Sequence, residues 1–99
     1  MITREGDRLI FFAEGRIDTN TAPRFSNELE AALDGVMDLT IDCSRLEYIS
    51  SSGLRVLMKA IHAMERRRGD IRITEVNENI YEILEVTGFI GACDVERKT

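Results

Sequence analysis

The chain has no tryptophan, one histidine, one proline and two cysteines among 99 residues. Each scarcity removes a class of explanation. Cys43 and Cys93 are too few to staple a disulfide scaffold, and such usage fits a reduced cytosolic setting. His62 alone supplies neither the co-ligands of a metal centre nor a rich catalytic set, so neither a metal nor a cofactor is expected. No low-complexity segment, repeat or linker is visible. The longest apolar run, Leu9-Ile10-Phe11-Phe12-Ala13, is far below the ~20 residues of a membrane span. No charged segment followed by an apolar one opens the chain, so a secretory leader is not expected and the cytoplasm is the expected location. Positive charge is also in deficit: thirteen Lys and Arg against eighteen Asp and Glu leave −5, which argues against nucleic-acid phosphates as a direct partner.

What is present suffices for one core. Apolar residues make up 43% of the chain, with four Phe, four Met and two Tyr, and a chain of this length buries roughly two-thirds of its unfolded surface. A single domain over residues 1–99 is expected, one that folds without disulfides and binds rather than catalyses.

Periodicity orders that domain. Arg8 to Gly15 reads as a strand, with Ile2 to Arg4 pairing back across the Glu5-Gly6-Asp7 turn. Gly15 to Thr21 reads as a loop, and Thr21 before Ala22-Pro23 as a helix N-cap. Phe25, Leu29, Ala32, Leu33 and Val36 form one helical stripe ending near Gly35. From Met37 to Ser44 the period becomes two, a strand with one dry face, followed by a connector Arg45 to Ile49. A second helix is expected from Ser50-Ser51-Ser52 through Leu54, Leu57, Met58, Ile61 and Met64, with Gly69 as its left-handed cap. Ile71 to Thr74 forms another strand, and Asn77 or Asn79 caps a third helix closed by Gly88. Phe89 to Cys93 reads as a last short strand or a tail on the core.

Strands separated by helices imply right-handed βαβ crossovers and an α/β fold with a mixed, partly parallel sheet of four to five strands. Because the strands alternate rather than run apolar throughout, the helices are expected mainly on one face. Ile10 and Phe12 then need other cover, from the first strand or a partner chain, and the open face leaves room for a homodimer.

One segment carries chemistry: a strand ending at Asp42-Cys43 leads to Ser50-Ser51-Ser52-Gly53-Leu54 at a helix start. Together with Gly15-Arg16-Ile17-Asp18-Thr19-Asn20-Thr21-Ala22-Pro23, it resembles the STAS domain family, and within it the bacterial anti-sigma factor antagonists. The likeness spans nearly the whole chain. It implies a partner switch: the unphosphorylated antagonist binds an anti-sigma factor that is a GHKL-type serine kinase and frees a sigma factor, phosphorylation releases it, and a PP2C-type phosphatase restores it. The family motif resembles Asp-Ser-[Ser/Thr]-Gly-Leu, which places the modified serine at Ser51, with Ser52 as the alternative. Ser50 stands where the family has Asp. Asp18, Thr19, Asn20 and Ser50 to Leu54 are the residues that the resemblance assigns to partner contact.

The residues themselves have plainer readings. Helix-start serines cap, each cap typically worth ~1 kcal/mol, but one cap needs one serine and here there are three. Asp18 reads equally as a loop residue bonding local backbone. Arg66-Arg67-Arg68 suits the negative end of the second helix, and His62, at the edge of the apolar stripe, reads as a half-exposed structural residue. A serine hydrolase is disfavoured because Ile49 and Ser50 occupy the positions where the G-x-S-x-G elbow needs glycine. Two further alternatives remain at this level: a separate STAS subunit of an ABC lipid or anion transport assembly, and a partner switch whose output is a phosphatase, secretion or biofilm pathway.

Overall fold

The computed structural model describes residues 1–98; Thr99, the last residue of the expected domain, lies outside them. In chain order the elements are β1 (Ile2–Glu5), β2 (Arg8–Ile17), α1 (Ala22–Ala32), β3 (Asp38–Ile49), α2 (Ser51–Arg66), β4 (Asp70–Val76), α3 (Glu78–Val86), α4 (Phe89–Ala92) and β5 (Asp94–Arg97). The sheet has five strands in the order β1-β2-β3-β4-β5. β1 is antiparallel to β2, and every later pair is parallel. Helical crossovers that each step one strand in the same direction, all right-handed, stack on one face of the sheet.

Burial follows that geometry. Leu39, Ile41 and Cys43 of β3 are buried against the helices, whereas Asp38, Thr40, Asp42 and Ser44 between them stay half-exposed. Leu9, Phe11 and Ala13 of β2 and Ile73 of β4 join the same core, with Phe25 and Leu29 of α1 and Leu57 and Ile61 of α2. Each of the buried Leu, Ile and Phe side chains contributes about 1.5–3 kcal/mol relative to an exposed position. No polar or charged residue is buried among those described. On the other face Ile10 is 38% exposed, because β1 pairs edgewise with β2 and covers nothing; Arg45 lies over the Phe12 ring at 5.8 Å.

Helix α2 buries Gly53, Val56, Leu57, Ala60, Ile61 and Met64, successive steps of three, one, three, one and three that define one stripe. The stripe is turned from the expected one, leaving Leu54 and Met58 at its half-buried edge. Its end also differs. Gly69 N donates to Met64 O at 2.9 Å and Arg68 N to Glu65 O at 3.0 Å, and the left-handed residue is Arg68, at φ 57. Gly69 has a different reason to be glycine: a Cβ there would lie 2.7 Å from both the Met37 carbonyl oxygen and Met64 Cε. Arg67 serves a different helix from its own, donating from Nη1 to Leu33 O at 2.6 Å and Val36 O at 3.1 Å and so satisfying carbonyls just past α1.

Three other expectations change. The second and third strands run on to Ile17 and Ile49, so Gly15 to Ile17 and the Arg45 to Ile49 connector are strand. The parallel pairs Arg16↔Tyr48 and Ile17↔Ile49 extend them, and Gly15, at φ 69, stands at a register shift. Phe89 to Cys93 forms the short helix α4 and its cap, and the final strand comes after it as β5. Asn77, by contrast, caps α3 as expected, its Oδ1 accepting from Ile80 N at 2.9 Å, and Gly88 at φ 86 follows that helix.

Candidate functional site

The ends of β2 and β3 meet at one edge of the sheet. Ile17 and Ile49 are register partners, and Ser50 N donates to Ile17 O at 2.8 Å, so the loop after β2 and the start of α2 emerge side by side. This edge brings Asp18, Thr19 and Asn20 next to Ser50 through Leu54.

Ser50 takes the capping duty. Its backbone is extended (φ −91, ψ 176), its Oγ accepts from Gly53 N at 3.4 Å, and its carbonyl accepts from Leu54 N at 2.9 Å. Serine at this position therefore supplies the N-cap bond without adding a charge to the helix start. Ser51 is the first helical residue and is exposed; Ser52 is half-buried. Capping accounts for Ser50 and leaves the Ser51 hydroxyl at the surface.

Gly53 sets how closely α2 approaches the sheet. A Cβ on it would lie 2.6 Å from Ile49 Cγ1 and 2.7 Å from Ile17 Cγ2, so only hydrogen fits between the helix and the two strand ends. Both isoleucines are buried. Leu54 packs half-buried against the core from the next position.

The facing loop is ordered by Asp18. Its Oδ1 accepts from Asn20 N at 2.9 Å and Thr21 N at 3.1 Å, and its carbonyl accepts from Ala22 N at 2.8 Å. The Thr21 backbone N–H chiefly holds the Asp18 carboxyl below its ordinary pKa, with Asn20 N–H, the Thr21 hydroxyl and nearby Arg16 adding to it against the opposing effect of partial burial. Thr21 makes no side-chain cap, contrary to expectation. Its backbone at φ −99, ψ −16 is already helical, and its hydroxyl donates instead to Arg16 O at 2.9 Å and accepts from Asp18 N at 2.9 Å. Thr19 and Asn20 are exposed at the tip.

Sequence reasoning missed two neighbours, Arg16 and Tyr48. The Arg16 guanidinium lies 4.5 Å from the centre of the Tyr48 ring. Only the extension of both strands makes these residues register partners, so local periodicity held no sign of them. His62 is exposed on α2 nearly three turns beyond Ser52, about 15 Å at 1.5 Å per residue, out of reach of the serine hydroxyls. Among the described residues no three His, Cys, Asp or Glu side chains cluster as metal ligands, and no helix is long and apolar enough to cross a membrane.

The STAS domain family matches residues 1–97. The chain belongs to this family. Among curated relatives of this STAS protein, BtrV of Bordetella bronchiseptica, described as an anti-sigma factor antagonist, is 31% identical over 84 residues, which cover 84% of this chain and 72% of BtrV. Solved structures share the fold. A Thermotoga maritima protein described as an anti-sigma factor antagonist superposes with a TM-score of 0.90 at 16% identity, covering 97% of this chain and 84% of that one. The unphosphorylated anti-sigma factor antagonist SpoIIAA gives 0.78 at 13% identity over 100% and 88% of the two chains, and SpoIIAA is also solved phosphorylated.

Proposed function

We propose that this STAS protein is an anti-sigma factor antagonist that works by partner switching, with Ser51 as the switch. Unphosphorylated, it binds an anti-sigma factor that is also a GHKL-type serine kinase, through Asp18, Thr19, Asn20 and Ser50 to Leu54. The kinase transfers the γ-phosphoryl group of ATP to Ser51: the Oγ–P bond forms, the bond to ADP breaks, and the hydroxyl proton is released. A PP2C-type phosphatase hydrolyses the ester and returns the protein to its binding form. The protein thus acts as substrate and ligand, and the chemistry belongs to its partners.

The observation that carries this reading is the division of labour at the start of α2, where Ser50 caps and Ser51 is left exposed. A phosphate on Ser51 would add about −1.5 to −2 charges at neutral pH. At the first turn of a helix that charge is tolerated, so the fold survives. Within a closed interface it would have to be desolvated, and each 1.4 kcal/mol of that penalty weakens binding tenfold. The relatives' names and the two SpoIIAA forms favour this function over a transport subunit.

The test is to incubate the purified protein with candidate serine-kinase anti-sigma factors and ATP, and to map phosphate by mass spectrometry. Phosphate on Ser51, absent from Ser51→Ala, is the expected result. Transfer to none of the three serines would remove the switch and leave the fold assignment standing.

A further inference from the structure

The exposed side of α2 holds a row of positive charge that the switch leaves unexplained. Ser51, Arg55, Lys59, His62 and Arg66 are all exposed, at the spacing of one helix face opposite the buried stripe. In a chain of net charge −5 this row runs against the overall balance. Most other arginines are engaged: Arg8 and Arg72 with Asp38, Arg24 with Glu28, Arg45 with Glu14, Arg97 with Glu78, Arg16 on Tyr48, and Arg67 on backbone carbonyls. Lys59 pairs with Glu30. None of the ion pairs among the described residues uses Arg55.

We propose that Arg55 is the intrachain receptor for the phosphate on Ser51, an i,i+4 pair that holds the modified state. The inference rests on Ser51 being the phosphorylated residue. Residues four apart on a helix have Cβ atoms about 5–6 Å apart, within reach of a guanidinium and a phosphoserine. Acidic residue first and basic residue four later is the favourable order, and the guanidinium fork matches phosphate oxygens. Ser52 has the buried Val56 at the same offset, so the pairing distinguishes the two serines. On the neighbouring loop, the Asp18 carboxylate is occupied by the Asn20 and Thr21 backbone N–H groups, and Arg16 lies on the Tyr48 ring. Arg55 is the charged side chain whose position suits the phosphate and whose pairing is open.

The consequence is a phosphorylated form whose charge is partly offset within the chain, with its dianion favoured at lower pH than a lone phosphoserine, whose second pKa is near 6. The measurement is a 31P NMR titration of full-length protein carrying genetically encoded phosphoserine at position 51, compared with the same protein bearing Arg55→Gln or Lys59→Gln. Encoding the phosphoserine makes the result independent of any kinase, so failure of enzymatic transfer to Ser51 and failure of the Arg55 pair are separate outcomes. Arg55→Gln is expected to raise the phosphate pKa by roughly 0.3 to 1 unit at low salt, with the difference shrinking as salt screens the pair. Lys59→Gln, which removes the same charge one turn further away, is expected to shift it by less than a third of that. Equal shifts in the two variants, or none in Arg55→Gln, would overturn the pairing.

Discussion

Ser50 donates its backbone N–H to the Ile17 carbonyl at 2.8 Å, and this bond joins the start of α2 to the end of β2. Side chains reinforce the junction, since Gly53 leaves no room for a Cβ between Ile17 and Ile49. The serine cluster and the Asp18 loop are therefore parts of one surface whose spacing is set by the core beneath it.

Gly53 tests that coupling. In an exposed helix, Gly→Ala gains roughly 0.5–1 kcal/mol. Here the added methyl meets two buried, β-branched side chains at 2.6 and 2.7 Å, and overpacking of this kind costs about 1–3 kcal/mol. Gly53→Ala is expected to lower stability in urea unfolding, Gly53→Val to lower it further, and both to weaken partner binding. A Gly53→Ala protein more stable than the wild type would refute the close approach.

The serines separate stability from switching. Ser50→Ala removes the N-cap and should cost ~1 kcal/mol, and Ser50→Asp should restore it. Ser51→Ala, at an exposed position without that duty, should stay within about 0.5 kcal/mol of wild type. Thermal melts of the three variants decide this, and equal losses for Ser50→Ala and Ser51→Ala would contradict it.

Acid should loosen the Asp18 loop. The folded state holds this carboxyl below its ordinary value of 3.8, so its contribution is fully present above about pH 4 and is lost as pH falls through the lower, folded value. The difference in Tm between wild type and Asp18→Asn is expected to hold nearly steady from pH 6 to about pH 4 and to shrink as pH falls further towards pH 3. A constant difference would show that ionisation of Asp18 is not involved.

Alkali should act through the thiols. Burial, with Asp42 adding to it, pushes the Cys43 thiol up to about 12, and burial with Asp94 pushes Cys93 up to about 11, from an ordinary value of 9.0. The folded state thus favours protonated thiols. Their contribution is complete below pH 9 and is lost as pH rises through the folded values. At pH 8 both thiols should react with a disulfide reagent far more slowly in the native protein than in urea, Cys43 the slower of the two.

Local patterns in the sequence carried most of the fold. The period-two run from Met37 marks β3, and Asn77 and Gly88 bracket α3 as their chemistry requires. What they could not carry was non-local. Ile17 and Ile49 are strand because they pair with each other across the sheet. Gly69 and Gly53 are glycines because of what lies opposite, Met37 in one case and two isoleucines in the other. At the site, a serine cluster marks a helix start, but nothing local distinguishes the capping serine from its neighbour. That choice depends on the extended backbone of Ser50, which its bond to Ile17 fixes. Asp18 likewise orders its loop through bonds to Asn20 and Thr21, where a Thr21 cap is the simpler reading of the sequence.

The central claim is that a phosphate on Ser51 switches off partner binding without unfolding the domain. Isothermal calorimetry of the serine-kinase anti-sigma factor with the unmodified protein and with protein carrying phosphoserine at position 51, both checked by circular dichroism, tests it most directly. The account predicts identical folded spectra and at least about a 100-fold loss of affinity, equivalent to ~2.8 kcal/mol. Equal affinities for two folded proteins would contradict it.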